Sequence, residues 1–135
     1  MKTPTGSFKL ALNAHSPGTV KLQEPSLTAV WQVLRARVRH VVITLGKDGA
    51  LLWEEGRDRV KVDLEPLDKK LVVDTTGAGD AFVGSLAFFL SSHPGLGLAE
   101  AVARSCRVAS LSVMKAGTQA SYPDRAQVLH ILNTD

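Results

Sequence analysis

The sequence predicts an α/β fold, and three observations support the prediction. Short β-branched runs such as "HVVITL" alternate with longer segments whose apolar residues recur at helical spacing. Glycine-bounded turns separate them, at "LGKDG" and "TTGAGD". The composition, 44% hydrophobic and 21% charged over 135 residues, suits one compact domain or a large piece of a bigger one. Aromatic content is 5% and net charge +3, which argues against a nucleic-acid partner.

Residues 1–26 contain Pro4, Gly6, Pro17, Gly18 and Pro25 with little periodicity, and read as loop with at most one short strand at "FKLAL". This stretch has no long apolar core, so it reads as neither a signal peptide nor a membrane span. Its basic, acid-poor character keeps a transit peptide as the lesser alternative. A helix follows, with Leu27, Val30, Trp31, Leu34 and Val38 on one stripe and Ser26 as N-cap. Val41–Leu45 and Ala50–Trp53 read as strands around a tight turn. "EEGRDR" is a polar turn, and "VKVDL" and "KLVVD" read as third and fourth strands. Ala78–Leu90 is a helix nearly apolar all round, which predicts burial on every side, yet it is too short to cross a bilayer. "SSHPGLG" ends it. "LAEAVARSCRVASLSVM" forms a second long helix, "KAGTQASYP" a loop, and Asp124–Leu132 a last short helix.

The single cysteine, Cys106, excludes an internal disulfide and fits a reducing compartment, the cytoplasm with the nucleus as alternative. Its apolar-to-small helical face favours an inert buried thiol. The histidines His15, His40, His93 and His130 lie far apart, without metal-ligand spacing. The basic run "RARVRH" reads best as the solvated end of a helix, and Trp31 and Trp53 as packing residues.

The chemistry concentrates at "DTTGAGD". Gly77 and Gly79 allow a ligand close to the backbone, and the following helix offers unpaired N–H groups and the positive end of its dipole. Together these suit phosphate oxygens. No Lys follows the second glycine of a Walker frame, and the third glycine of a dinucleotide fingerprint is missing. Asp80 has two readings. One is an acid favoured by a helix N-terminus, although Gly77 breaks the register of a capping box. The other is a general base that takes a proton from a substrate hydroxyl while the glycine amides hold the phosphoryl group in transfer.

"DTTGAGDAFVGSLAFFL" resembles the C-terminal signature of the ribokinase or pfkB-type sugar kinases. "VVITLGKDGALLW" and "AGTQASYP" resemble segments flanking it in that family, so the likeness covers residues 27–135 and leaves 1–26 unaligned. The resemblance implies the C-terminal part of a ribokinase-like three-layer α/β/α sandwich, with the sugar-binding half and lid missing. It implies Asp80 as catalytic base on the sugar, with Gly77, Ala78 and Gly79 as anion hole. Thr44, Leu45, Gly46, Lys47, Asp48 and Gly49 would line the ATP site, with Gly46 and Gly49 keeping the turn open, and Gly79, Asp80 and Cys106 nearby. Cys106 stands where the family commonly has Asn, and Ala81 where it often has a hydroxyl residue. A potassium ion would be held by Asp74, Thr76, Ser112, Lys115 (through its carbonyl), Gly117 and Ser121, while magnesium accompanies the nucleotide. Asp74 and Thr76 also read as ordinary turn formers.

The implied reaction is ATP-dependent phosphorylation of D-ribose to ribose 5-phosphate. Its alternatives are a pfkB kinase for another sugar or nucleoside, such as fructose or adenosine, and a truncated non-catalytic nucleotide-binding or interaction module. Partners would be small-molecule sugar and nucleotide, with neither nucleic acid nor membrane. A sheet stripped of its other half would expose apolar surface, favouring a homodimer or cover by another chain.

Overall fold

The structure is a computed structural model that describes residues 9–13 and 24–132. Its elements are β1 (Lys9–Asn13), α1 (Glu24–Leu34), β2 (His40–Thr44), β3 (Ala50–Glu54), β4 (Val60–Val62), α2 (Ala78–Ser92), α3 (Leu98–Ser112) and α4 (Arg125–Leu132). Short 3-10 turns cover Gly46–Asp48, Lys69–Leu71 and Gln119–Ser121.

Valine and isoleucine favour extended backbone because their branched Cβ packs well on a pleated surface. β2 is built from such residues and β3 from alanine, leucine and tryptophan, and Val41, Val42, Ile43, Leu51 and Leu52 are all buried. The sheet order is β1-β2-β3-β4. β1 runs parallel to β2, Lys9 opposite His40, and the crossover between them carries α1. β2–β3 and β3–β4 are antiparallel.

Alternation along β2 and β3 divides the core in two. Val41, Ile43, Leu51 and Trp53 face Trp31, Leu34 and Val38. Val42, Ala50 and Leu52, with Val62 of β4, face Phe82, Leu86 and Phe89 of α2 and Ala101, Val102 and Cys106 of α3. The order is therefore helix, sheet, helices. Trp31 and Trp53 stack at 5.8 Å in the first of these interfaces, as packing residues.

Local chemistry explains the ends of α4. Asp124 Oδ1 accepts from the Gln127 amide at 3.0 Å, and Gln127 Oε1 accepts from the Asp124 amide at 2.9 Å. This reciprocal capping makes Asp124 the cap and Arg125 the first helical residue. At the other end the buried Arg104 pairs with Glu100 at 2.8 Å and donates to the Leu132 carbonyl at 3.2 Å.

Three sequence expectations change. Ser26 lies inside α1, which begins at Glu24, so it is not the N-cap. "KLVVD" forms no strand. A 3-10 turn occupies Lys69–Leu71, and the Val73 and Asp74 amides both donate to the Val113 carbonyl, at 2.8 and 3.2 Å. The segment is thus tethered to the end of α3 instead of joining the sheet. Finally, α2 is not buried on every side: Phe82, Leu86 and Phe89 are buried, but Val83 is 52% and Phe88 40% exposed. Its inner stripe has the sheet and α3 to pack on. Among the described residues nothing covers the outer stripe.

Candidate active site

The tether at Val113 brings the segment from Asp74 to Asp80 against the loop that follows α3. Asp74 completes the joint. Its Oδ1 accepts from the Thr76 amide and its Oδ2 from the Gly117 amide, each at 2.9 Å. The Thr76 side chain, then the Gly117 and Thr76 amides, hold this carboxyl below the usual carboxylate range. Asp74 and Thr76 do form a local turn, as their types allow, but the bond to Gly117 gives Asp74 a second, long-range role.

Gly77 turns the chain into α2 with φ 85° and ψ −6°, the left-handed region. A methyl on it would stand 3.2 Å from Thr118 Cα and 3.3 Å from Tyr122 Cε1. The two loops therefore touch at this point. The Ala81 amide donates to the Gly77 carbonyl at 2.9 Å, and that of Ala78 to the Thr75 carbonyl at 3.3 Å. The Gly77, Gly79 and Asp80 amides have no backbone acceptor among the described residues. Ala78 is thus the weakest of the three expected anion-hole donors, its amide already engaged in a long bond. Asp80 is exposed in the first turn of α2, where the helix start favours its charge.

Beside it stands Tyr122, half-buried and not singled out by the sequence reading. Burial pushes its phenol pKa up, and the charge of the nearby Asp80 pushes the same way. The clue was its position, next to Ser121 in the "AGTQASYP" loop, yet only the folded chain brings it to Asp80.

The six residues expected around a cation gather unevenly. Asp74, Thr76 and Gly117 share direct hydrogen bonds. Ser112 and Ser121 are buried, their hydroxyls donating to Ala109 at 2.7 Å and to Thr118 at 2.6 Å, which leaves oxygen lone pairs open. Lys115 is exposed and its amide donates to the Ser112 carbonyl at 3.4 Å. Carboxylate, hydroxyl and carbonyl oxygens make up the set, a donor chemistry that suits a hard cation. Among the described residues no group of three or more His, Cys, Asp or Glu could hold a metal ion.

The expected nucleotide turn, Thr44–Gly49, links β2 to β3. Lys47 and Asp48 are exposed, and Gly46 takes φ 61°. Gly49 is buried with φ 87°, and a methyl there would overlap the Val62 carbonyl, so the close approach of β4 by itself requires glycine here. Cys106 is 6% exposed within the core cluster, and burial pushes its thiol up to about 11, as an inert buried thiol would have it. A separate shallow hollow, between Trp31, Arg35 and residues 54–58, contains none of these site residues. The basic run beside it is a solvated helix end: Arg35, Arg37 and Arg39 are exposed.

The pfkB family carbohydrate kinase model matches residues 15–125. The ribokinase of Mus musculus is 47% identical over 83 residues, which are 62% of this chain and 25% of that protein. The solved structure of Arabidopsis thaliana ribokinase with ribose and ATP superposes with a TM-score of 0.75 at 29% identity, covering 94% of this chain and 41% of that one. That of Salmonella enterica aminoimidazole riboside kinase, with aminoimidazole riboside and an ATP analogue, gives 0.66 at 32% identity over 80% of this chain and 36% of that one. The chain spans about a quarter of the mouse protein's length and has part of the ribokinase α/β fold. With both its fold and most of its length accounted for in this way, the chain belongs to the pfkB family of carbohydrate kinases.

Proposed function

We propose that this chain carries the phosphoryl-transfer part of a sugar kinase that moves the γ-phosphoryl group of ATP to D-ribose, giving ribose 5-phosphate and ADP. The observation that carries the reading is the exposed Asp80 carboxylate beside the Gly77 and Gly79 amides, which have no backbone acceptor among the described residues. Asp80 takes the proton of the 5-hydroxyl as its oxygen attacks the γ-phosphorus. The bond from that phosphorus to the β–γ bridging oxygen breaks, and ADP leaves with the electron pair. Backbone N–H groups fixed before the reaction stabilise charge on the transferring group without reorganising. Magnesium travels with the nucleotide phosphates. Asp74, Thr76, Ser112, Gly117, Ser121 and the Lys115 carbonyl would hold a potassium ion, whose charge would favour an anion at the neighbouring helix start. Residues 44–49 border the nucleotide. The ribose and ATP bound by the Arabidopsis relative support this choice of substrates.

The test is to incubate the chain with ATP, magnesium, potassium and, side by side, ribose, fructose or adenosine, and to assay ADP and phosphorylated product. Ribose is expected to be the best acceptor. Asp80→Asn is expected to lower turnover by about 10²- to 10⁴-fold with nucleotide affinity retained. Near-normal turnover in that variant would rule out the assigned base. A second reading, a non-catalytic nucleotide-binding or interaction module, is favoured by the exposed Val83 and Phe88 on α2. Covering that stripe in a homodimer or against another chain would bury it. Nucleotide binding with no phosphorylated product would support this second reading.

A further inference from the structure

Both carboxylate oxygens of Asp74 accept backbone amides, but across very different spans of chain. Oδ1 takes the Thr76 amide nearby, and Oδ2 takes the Gly117 amide, 43 residues away, each at 2.9 Å. A residue that only formed the local turn would need one oxygen, and asparagine or serine would serve there as well. The second bond straps a loop to the turn. That loop is itself stiffened, because the buried Ser121 donates to the Thr118 carbonyl from its hydroxyl at 2.6 Å and from its amide at 3.0 Å. It meets the turn again at Gly77, where a methyl would stand 3.2 Å from Thr118 Cα and 3.3 Å from Tyr122 Cε1. Residues 74–77 are therefore held at both ends by one loop, with Thr75 and Thr76 exposed between. The Gly77 and Gly79 amides, which have no backbone acceptor among the described residues, start at the second of these contacts. Two hydrogen bonds leave lone pairs on the Asp74 carboxylate, so the strap and a potassium ion are compatible.

We propose that Asp74 is a positioning residue for the anion-binding amides: through Gly117 it fixes the glycine turn against the later loop, whether or not a cation is bound. Its effect on phosphoryl transfer rests on the reading of Gly77 and Gly79 as donors to phosphate, whereas the fixing of the turn is measurable with no anion present. The role has a sign of its own. Asp74→Asn removes a negative charge close to the glycine turn, which by charge alone would tighten anion binding. Asparagine, however, has one acceptor oxygen and an amide nitrogen that cannot accept, so one of the two backbone amides loses its partner. A loosened turn binds the anion less well, against the direction of the charge effect. The Val73 and Asp74 amides keep the Val113 carbonyl in this variant, so the segment stays tethered to α3.

The test follows amide signals of nitrogen-labelled chain at neutral pH, in a buffer whose only cation is tetramethylammonium, with inorganic phosphate as the probe. Before phosphate is added, the native Gly77, Gly79 and Asp80 amides are each expected to give one sharp signal. Asp74→Asn is expected to broaden or split these signals while the core amides of Leu52 and Val102 stay unchanged. Equally sharp signals in both proteins would overturn the proposal. On titration, phosphate is expected to shift the same amides in the native chain. The dissociation constant of the variant is expected to be about tenfold higher, the scale of one lost hydrogen bond to a charged group. Equal or tighter binding in the variant would overturn the positioning role, as would a weakening that emerges only once potassium is added. Should phosphate shift no amide of the native chain, the anion-hole reading fails, and the signals recorded without phosphate still judge the strap. Should Asp74→Asn not fold, hydrogen exchange of the native chain in the same buffer decides. The Gly117 amide is expected to exchange at least about a hundredfold more slowly than an open peptide, and unprotected exchange there would overturn the proposal.

Discussion

Replacing Gly77 by alanine puts a methyl group between two loops that already touch. At φ 85° an L-residue costs about 1–2 kcal/mol relative to its ordinary conformations. The new carbon would meet Thr118 Cα at 3.2 Å and Tyr122 Cε1 at 3.3 Å. The ring can tilt away, but the Thr118 backbone is held by its neighbours, which adds about 1 kcal/mol of overpacking. Against this, alanine stiffens the unfolded chain, returning about 0.5–1 kcal/mol. The net loss is about 1–2.5 kcal/mol, or a Tm lower by about 4–9 °C for a chain of this size. Gly84→Ala is the control. Gly84 sits inside α2 with nothing within 4 Å of a built Cβ, so alanine there should gain about 1 kcal/mol and raise Tm by about 3 °C. Thermal melts followed by far-UV circular dichroism read both. A Gly77→Ala melt within about 2 °C of the native one would refute the argument that the left-handed turn and the loop contact require glycine.

The clamp residue Asp74 should make stability depend on pH. Its folded pKa lies below the ordinary 3.8, so its contribution is complete above that value and is lost as pH falls through the lower folded value. Urea midpoints measured across the acid range should show this loss, and Asp74→Asn should flatten that limb. Cys106, whose thiol is raised to about 11, should resist thiol reagents at mildly alkaline pH and react at least about a hundredfold faster once urea unfolds the chain. Rapid stoichiometric labelling of the native protein would contradict its buried placement. Phe89→Ala, at a side chain 0% exposed, should cost about 3–5 kcal/mol in urea unfolding. The neighbouring Phe88→Ala, at a side chain 40% exposed, should cost less than about 1.5 kcal/mol.

What was legible in the sequence was local. Glycine before an apolar run marks a helix start, and α2 does begin at Ala78, directly after Gly77. The paired strands flanking "LGKDG" were readable from branched side chains bounded by glycine. Distant partners were not readable. "KLVVD" has the composition of a strand, but composition cannot say whether an edge is available, and the Val113 carbonyl takes its amides instead. The apolar outer stripe of α2 announced a wish for cover without showing which neighbours lie on which side. The approach of Val62 to Gly49 is a tertiary fact that no local pattern announced. Tyr122 was missed for the same reason: nothing near it in sequence points to Asp80.

The bond from Gly117 to Asp74 spans 43 residues of sequence. During synthesis the glycine turn leaves the ribosome early, while the amide that anchors its acid lies beyond the whole of α3. The glycine turn therefore cannot take its final shape until α3 has formed and brought the later loop back to it. A nascent chain halted before that loop would carry every atom of the turn and its local bonds, but not the Gly117 clamp.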